Sequence, residues 1–305
     1  MAATTLGPDL VIAGAARSGT SSLAAQLSTH PGIDLGKVKE SNYFSRELAR
    51  GPDWYDSLYA DRRDGRLRLD ASTSYTSALY PESLGRLAKS APDALVIYIV
   101  RHPTQRALSH YLYRHHYFHL EDAPNFGAAL RATSYYVEGS DYSRWIPELR
   151  DAFSDQRLLV VPFEVVTEDP HAVTTEICRQ LGLAPPADAR DRGRQHRNDV
   201  VEYRNAAARH ASKLLRRSSI YPRVRGAVGS CRMRNARGLL TREARLPGTE
   251  EAMASCDAEQ LASLRRLDER AGAVTLKHLV AQDERLELAW AGQSFASPGG
   301  RSDIP

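Results

Sequence analysis

Two polar segments, each directly after an apolar run, contain residue types that bind anions. The first runs from Gly14 to Gly19 with Arg17 inside it, and the second begins at Arg101 and reaches Ser109. A loop of backbone N–H groups that leads into a helix binds phosphate, because the N–H groups and the helix dipole both favour negative charge. Arg adds a planar fork of donors and Ser adds a hydroxyl. The sequence therefore predicts two anion subsites.

The first loop differs from that of a nucleoside triphosphatase at one position. Its glycine spacing is Walker-like, but Thr20 stands where such an enzyme needs Lys, and the cation lies inside the loop as Arg17. The missing Lys argues against ATP hydrolysis and not against phosphate binding. We therefore expect a phosphate to be held by the backbone and hydroxyl groups that follow Arg17, namely Ser18, Gly19, Thr20 and Ser21.

Alternating strands and helices predict the framework that brings the two segments together. The apolar pattern indicates strands at 10–14, 33–35, 66–69, 94–100 and 158–161, and helices at 19–29, 82–90, 103–118 and 170–181. Continuous apolar strands are typical of parallel sheets, whose ligands bind at the carboxyl ends of the strands. The predicted fold class is α/β, a P-loop-like parallel sheet covered by helices on both faces, with a helical C-terminal extension.

Length and composition favour one domain. The 305 residues carry a net charge of +4, and we expect a single domain over 1–295, with a core at about 8–200, a helical lid at about 201–292 and a disordered tail at 294–305. No apolar run approaches the ~20 residues of a membrane helix, and no signal peptide is evident. The three cysteines lack metal-ligand spacing. These features predict a cytoplasmic protein without a metal site.

Four motifs occur in a fixed order along the chain: Gly14–Leu23, Lys39–Phe44, Asp70–Tyr75 and Arg101–Ser109. Together with landmarks between 163 and 183, they resemble the sulfotransferases that use 3′-phosphoadenosine 5′-phosphosulfate (PAPS), especially the heparan-sulfate-type and bacterial branch. The resemblance covers roughly residues 8–200. It implies transfer of a sulfuryl group from PAPS to a hydroxyl or amine by in-line displacement, with 3′-phosphoadenosine 5′-phosphate (PAP) as product and no metal.

The resemblance also implies roles for the residues near the transferred group. Arg17 matches a position that is commonly Lys or Arg and lies against the 5′-phosphosulfate, and Glu40 matches the glutamate that acts as general base. Lys39 pairs either with the sulfonate or with Glu40. Some relatives outside this branch use a histidine as base, so the competing candidates are His102, His110, His115, His116 and His119.

Three further residues match the positions that bind the nucleotide. Arg101 and Ser109 are assigned to the 3′-phosphate, and Arg194 to a loop at 192–196 that closes over the nucleotide as a third phosphate contact. Arg106 either joins these residues or faces solvent, and the pattern favours neither.

The acceptor is less well defined by the motifs. Ala71 stands where polysaccharide-acting relatives have Lys, and Thr73 replaces a frequent Pro, so a heparan-type acceptor is in doubt. A small molecule, a glycolipid and a saccharide all remain open as acceptors. Between 209 and 245, eleven Lys or Arg residues accompany a single acid, which favours a lid, a solvated helix pair or a peripheral membrane contact.

Two other classes of protein share part of these features. A P-loop nucleotide kinase would have the same fold, but it would need Lys at Thr20 and a means of holding Mg²⁺. A basic nucleic-acid-binding protein would explain the pI of about 9.0, but no recognition motif accompanies it. We therefore expect no nucleic-acid partner.

Overall fold

Five parallel strands form the central sheet of the computed structural model, which describes residues 7–61, 64–185, 201–203, 241–243 and 246–282. In chain order they are β1 (Leu10–Gly14), β2 (Ile33–Asp34), β3 (Leu67–Asp70), β4 (Leu95–Val100) and β5 (Leu158–Pro162). Their order across the sheet is β2-β3-β1-β4-β5. After β1 the chain first adds β2 and β3 on one side of it and then β4 and β5 on the other. Parallel sheets bind ligands in the crevice at the carboxyl ends of the strands where the strand order reverses in this way.

Helices cover both faces of this sheet. The described helices are α1 (Thr20–Leu27), α2 (Pro52–Asp56), α3 (Ser83–Ser90), α4 (Pro103–Leu112), α5 (Phe126–Ala132), α6 (Tyr135–Glu138), α7 (Tyr142–Ala152), α8 (Phe163–Glu168), α9 (Pro170–Gln180), α10 (Thr249–Ala254) and α11 (Ala258–Gln282). Tyr113–Phe118 is a π-helical turn, and 3₁₀ turns lie at Leu48–Arg50, Thr73–Thr76 and Asp155–Arg157. A separate antiparallel pair joins β6 (Val201–Tyr203) to β7 (Thr241–Glu243).

Successive side chains of the strands pack into two different apolar clusters. Val96 and Tyr98 of β4 join a cluster with α3, α7 and α11, whereas Ile97 and Ile99 join one with α1 and α9. This alternation follows from the two-residue period of a strand. Helices on both sides therefore leave β4 buried along its whole length, as its continuous apolar sequence predicts.

The predicted α/β fold is confirmed, with two local differences. The sequence analysis assigned no element to 126–152, where the structure has α5, α6 and α7. The predicted helix at 103–118 is α-helical only to Leu112, and its last part is the π-helical turn. Such turns are frequent at functional sites, and this one presents Tyr113 and Phe118 near the carboxyl edge of the sheet.

The long C-terminal helix α11 packs directly on the apolar clusters beside the sheet. Asp257 and Gln260 exchange hydrogen bonds of 3.0 and 2.9 Å at its start, in the arrangement of a capping box. Leu264 and Leu267 pack with α4 and α5, and Ala271 joins the cluster around β4. Among the helices that the structure describes, none combines the length and apolar character that a membrane crossing requires. The predicted tail at 294–305 and most of the basic segment at 209–245 lie outside the described residues.

Candidate active site

The loop between β1 and α1 forms the floor of the site. Its backbone is tied down where Ala15 N donates to Ile99 O of β4 at 2.9 Å and Ser18 N donates to Ala15 O at 3.2 Å. Gly19 ends the loop with a φ of 81°, and a Cβ there would lie 3.2 Å from the Phe163 ring. Glycine is needed at this position both for its left-handed backbone and for the close approach of Phe163.

The first turn of α1 faces this loop with its N–H groups. The first intrahelical bond at this end runs from Leu23 N to Gly19 O at 3.1 Å, which leaves the N–H groups of Thr20 and Ser21 without an acceptor in the helix. Both residues line a cavity, whereas the Ser18 side chain is fully buried. The N-terminus of α1, with Thr20 and Ser21 facing the cavity, is thus a suitable place for an anion to bind.

The Arg17 side chain extends from the loop to α4. Its backbone is left-handed, with a φ of 72°, its Nε donates to Ser109 Oγ at 3.3 Å, and its guanidinium stands 4.1 Å from the centre of the Tyr113 ring. Burial lowers the pKa of Arg17, as do the positive charges of Arg101 and Arg106, while Tyr113 opposes the shift. The two predicted phosphate subsites are therefore neighbours, joined by the contact between Arg17 and Ser109.

Arg101 is buried at the end of β4. Its Nη1 donates to Arg17 O at 3.4 Å, its guanidinium lies 4.7 Å from the Phe163 ring centre, and its backbone N–H donates to Tyr142 OH at 3.1 Å. Burial lowers the pKa of Arg101, and the charge of Glu164 opposes that shift. Arg101 Nε is buried and has no hydrogen-bond partner in the part of the chain that the structure describes. Such a group fits an anionic ligand.

Arg106 does not face solvent, one of the two roles that the sequence left open, and its contact with a phosphate stays a prediction. It is 1% exposed, and its Nη1 donates to Ala16 O at 3.2 Å, its Nη2 to Tyr136 O at 2.8 Å and its Nε to Ser140 Oγ at 2.6 Å. Burial lowers the pKa of Arg106. Arg106 holds the loop against the segment at 136–140 and adds its positive charge to the site.

Glu40 and Lys39 lie on the other side of the loop. Lys39 Nζ is 2.7 Å from Glu40 Oε1, and the backbone N–H of Thr73 donates to Glu40 Oε2 at 3.2 Å. The backbone of Glu40 is left-handed, with a φ of 64°, and its N–H donates to Ala71 O at 3.2 Å. The Glu40 side chain is 33% exposed. The carboxylate is thus held in one orientation and remains accessible.

Asp70 fixes the chain segment that carries Glu40. This carboxylate is buried and accepts hydrogen bonds from Ser41 Oγ at 2.8 Å, Ser72 Oγ at 2.6 Å, Tyr55 OH at 2.9 Å and Tyr75 OH at 2.7 Å. Burial raises the pKa of Asp70, and the four hydroxyl donors oppose this shift. Since Ser41 follows Glu40 directly, Asp70 is a positioning residue for the candidate base.

A cavity of about 500 Å³ opens over these groups. Arg17, Thr20, Lys39 and Glu40 line it together, so the structure brings the predicted catalytic residues to one chamber. Its described lining does not include Arg101 or Ser109. The cavity therefore belongs to the Glu40 side of Arg17.

The five candidate histidines differ in their position relative to the cavity. Only His110 is among the described residues that line the cavity. Its Nδ1 accepts from Arg106 Nη1 at 3.3 Å, and burial together with Arg106, Arg114 and Arg17 lowers its pKa well below the usual range. His102 Nδ1 instead lies 3.6 Å from Asp268 of α11. His110 is therefore neutral and hydrogen-bonded as an acceptor at neutral pH.

Sequence reasoning missed three residues that shape the site. Tyr113 is stacked on Arg17, Tyr142 accepts from the Arg101 backbone, and Ser140 accepts from Arg106. The spacing of Ser109 and Tyr113 on one helical face was a usable signal for the first. The other two are recognisable only from contacts distant in the chain. Arg194 lies outside the described residues.

Parts of this chain are similar to known sulfotransferases. Residues 52–187 match the sequence pattern of the Sulfotransferase family. This stretch, somewhat less than half of the chain, is therefore similar to the sulfotransferase family. Heparan sulfate glucosamine 3-O-sulfotransferase 6 of Homo sapiens is 34% identical over 105 residues, which are 34% of this chain and 30% of that protein. Bifunctional heparan sulfate N-deacetylase/N-sulfotransferase 1 of Caenorhabditis briggsae is 23% identical over 198 residues, 58% of this chain and 23% of that protein.

A solved structure supports the same family. The crystal structure of a sulfotransferase from Alicyclobacillus acidocaldarius superposes with a TM-score of 0.52 at 28% identity and covers 59% of this chain and 83% of that chain. The chain spans less than a third of the length of the two animal sulfotransferases that it matches. The family match includes Asp70, Arg101, Arg106 and Ser109 but begins after Glu40. It is the fold that places Glu40 beside the sulfotransferase-like segments.

Proposed function

We propose that this chain transfers a sulfuryl group from PAPS to a hydroxyl or amine, with Glu40 as general base. The observation that carries the proposal is the convergence of Arg17, Arg101 and Arg106 on the loop before α1, beside a cavity in which Glu40 is the acidic group of the described lining. The three guanidiniums donate to hydroxyl, carbonyl and imidazole groups of the described residues. These acceptors carry no charge, so the positive charge of the three guanidiniums attracts an anionic ligand.

The residues present fit a nucleotide with phosphate at both ends. The N–H groups at the start of α1, with Thr20 and Ser21, suit the 5′-phosphate of the donor. Arg101, whose buried Nε has no partner among the described groups, and Ser109 suit the 3′-phosphate. Because Arg17 contacts Ser109 and also lines the cavity, it connects the two ends.

The chemical step requires proton removal and neutralisation of charge. Glu40 accepts the proton of the acceptor while the acceptor oxygen or nitrogen bonds to sulfur and the bond from sulfur to the phosphate oxygen breaks. Arg17 and Lys39 both line the cavity, and their positive charges oppose the negative charge that builds on the leaving phosphate. Asp70 and Thr73 hold Glu40 in place, so little reorganisation precedes the reaction.

The replacement Glu40→Gln tests this proposal. A positioned base contributes ~10²- to 10⁴-fold, so we expect kcat to fall by that factor while calorimetry gives an unchanged Kd for PAP. Glu47→Gln is the matched control, because Glu47 is an acid of the same segment with similar exposure that pairs with Arg46 and does not line the cavity. Near-normal turnover by Glu40→Gln would refute the base assignment.

Nucleotide selectivity tests the donor assignment. We expect PAP to bind tightly, ATP to bind weakly, and turnover to persist in the presence of a chelator, since Arg17 and Lys39 supply the positive charge. Preference for ATP with a requirement for Mg²⁺ would overturn the proposal in favour of a kinase. The cytoplasmic location and the membrane contact of 209–245 stay predictions.

A further inference from the structure

Exposed apolar side chains concentrate at the mouth of the cavity. In the described part of the chain, the large hydrophobic residues with high exposure are Val38, Leu48, Leu79, Phe118 and Leu120. Three of them line the cavity: Leu79 is 62% exposed, Leu120 51% and Phe118 37%. Exposed apolar groups that gather at one concave surface mark a ligand-binding groove, whereas scattered ones carry no meaning.

The apolar residues come from two separate segments. Leu79 follows the 3₁₀ turn at Thr73–Thr76, and Phe118 and Leu120 belong to the end of the π-helical turn and the chain just after it. Glu40 lines the same cavity and is held by the Thr73 backbone at the start of the first segment. The cavity therefore has a polar reactive region and an apolar mouth.

We propose, building on the sulfotransferase function proposed above, that the acceptor is an alcohol or phenol with an apolar body. Its hydroxyl reaches Glu40, and its apolar part packs against Leu79, Phe118 and Leu120. The cavity of about 500 Å³ has room for a compact ring system in this orientation. The specificity-determining contacts are then apolar ones, formed at the mouth and away from the reacting atoms.

Charge at the mouth favours this class over a sulfated or carboxylated saccharide chain. Arg46 and Arg114 line the cavity, but Arg46 lies 3.7 Å from Glu47 and Arg114 stacks 5.1 Å from the Tyr135 ring centre. Arg46 is thus paired with a carboxylate, whereas Arg114 is held against an aromatic ring and its buried Nε has no hydrogen-bond partner among the described residues. Ala71, which replaces the Lys of polysaccharide-acting relatives, is 1% exposed and offers no charge to an acceptor.

The test compares acceptors and variants of the full chain with PAPS as donor. The acceptors are a naphthol, a steroid alcohol and an unsulfated glucosamine-containing oligosaccharide. Leu79→Ser and Leu120→Ser remove apolar contacts at the mouth, and Leu48→Ser is the matched control, because Leu48 is 39% exposed and is not a lining residue of the cavity. All three substitutions are at exposed positions, so the core is unaffected.

We expect kcat/KM to be higher for naphthol or the steroid than for the oligosaccharide. Leu79→Ser and Leu120→Ser should each raise KM for the apolar acceptor about five- to tenfold, with Leu48→Ser and the Kd for PAP unchanged. Preference for the oligosaccharide, no turnover of either apolar acceptor, or equal KM in all three variants would overturn the acceptor class. If the wild-type chain still binds PAP in such a case, only the proposed acceptor class is wrong. If the wild-type chain does not bind PAP, the proposed sulfotransferase function and the acceptor class are both wrong.

Discussion

Replacing Arg106 by Met tests whether a buried arginine organises the phosphate loop. Met has a similar reach and no donors, so the apolar part of the space stays filled while the guanidinium is lost. The change removes the bonds to Ala16 O, Tyr136 O, Ser140 Oγ and His110 Nδ1. We expect a less stable protein with a looser loop.

The magnitude follows from two opposing effects. Each hydrogen bond to a charged group contributes ~1.5–3 kcal/mol, and each buried acceptor left unpaired costs ~1–3 kcal/mol. Removal of a buried charge returns several kcal/mol of desolvation free energy, which offsets most of this loss. We therefore expect the free energy of unfolding to fall by about 2–4 kcal/mol. Because Ala16 O loses its anchor, PAP affinity should fall about tenfold, or ~1.4 kcal/mol.

Urea unfolding and calorimetry with PAP measure these two quantities. Arg106→Lys keeps the charge but cannot reach all four acceptors with one ammonium, so its stability should lie between wild type and Arg106→Met. Arg86→Met is the control, because Arg86 of α3 pairs with Glu82 just before that helix, away from the site, and its loss should change stability by less than ~0.5 kcal/mol. Wild-type stability together with wild-type PAP affinity in Arg106→Met would refute the reasoning.

Three further experiments address other parts of the site. Arg101→Ala and Ser109→Ala should each weaken PAP about tenfold or more without affecting adenosine 5′-phosphate, and equal losses for both nucleotides in calorimetry would contradict the 3′-phosphate assignment. Because the pKa of His110 is depressed in the folded chain, the unfolded state takes up a proton first as the pH falls below ~6.5, so stability decreases below that pH by up to ~1.4 kcal/mol per pH unit from this residue. His110→Gln should flatten this slope in urea titrations at several pH values, and an unaltered slope would disprove the effect. Asp268→Ala removes the acceptor of Thr104 N and Oγ1 at the start of α4, at 2.9 and 2.8 Å, and should lower the unfolding free energy by ~1–2 kcal/mol, whereas an unchanged midpoint would count against this cap.

The strands and the anion-binding loop were predictable because they depend on local patterns. The continuous apolar run of β4 indicates a strand buried on both faces, and the structure buries every residue of it. Gly19 marks the start of α1 because only glycine readily adopts its left-handed backbone against Phe163. Helices α5 to α7 escaped prediction because tertiary packing, and not a clear apolar period, decides where they form.

The amino-acid sequence by itself determined the fold class, the loop that presents N–H groups, and the residue types available for anion binding and proton transfer. The tertiary structure decided which of them meet. Arg17 and Ser109 are 92 positions apart and share a hydrogen bond, Arg106 is buried where the sequence left solvent exposure open, and Asp70 accepts hydrogen bonds from four hydroxyls around the segment that carries Glu40. Strand and turn preferences act over a few residues, whereas these contacts depend on the order of strands in the sheet, which places distant segments at one edge.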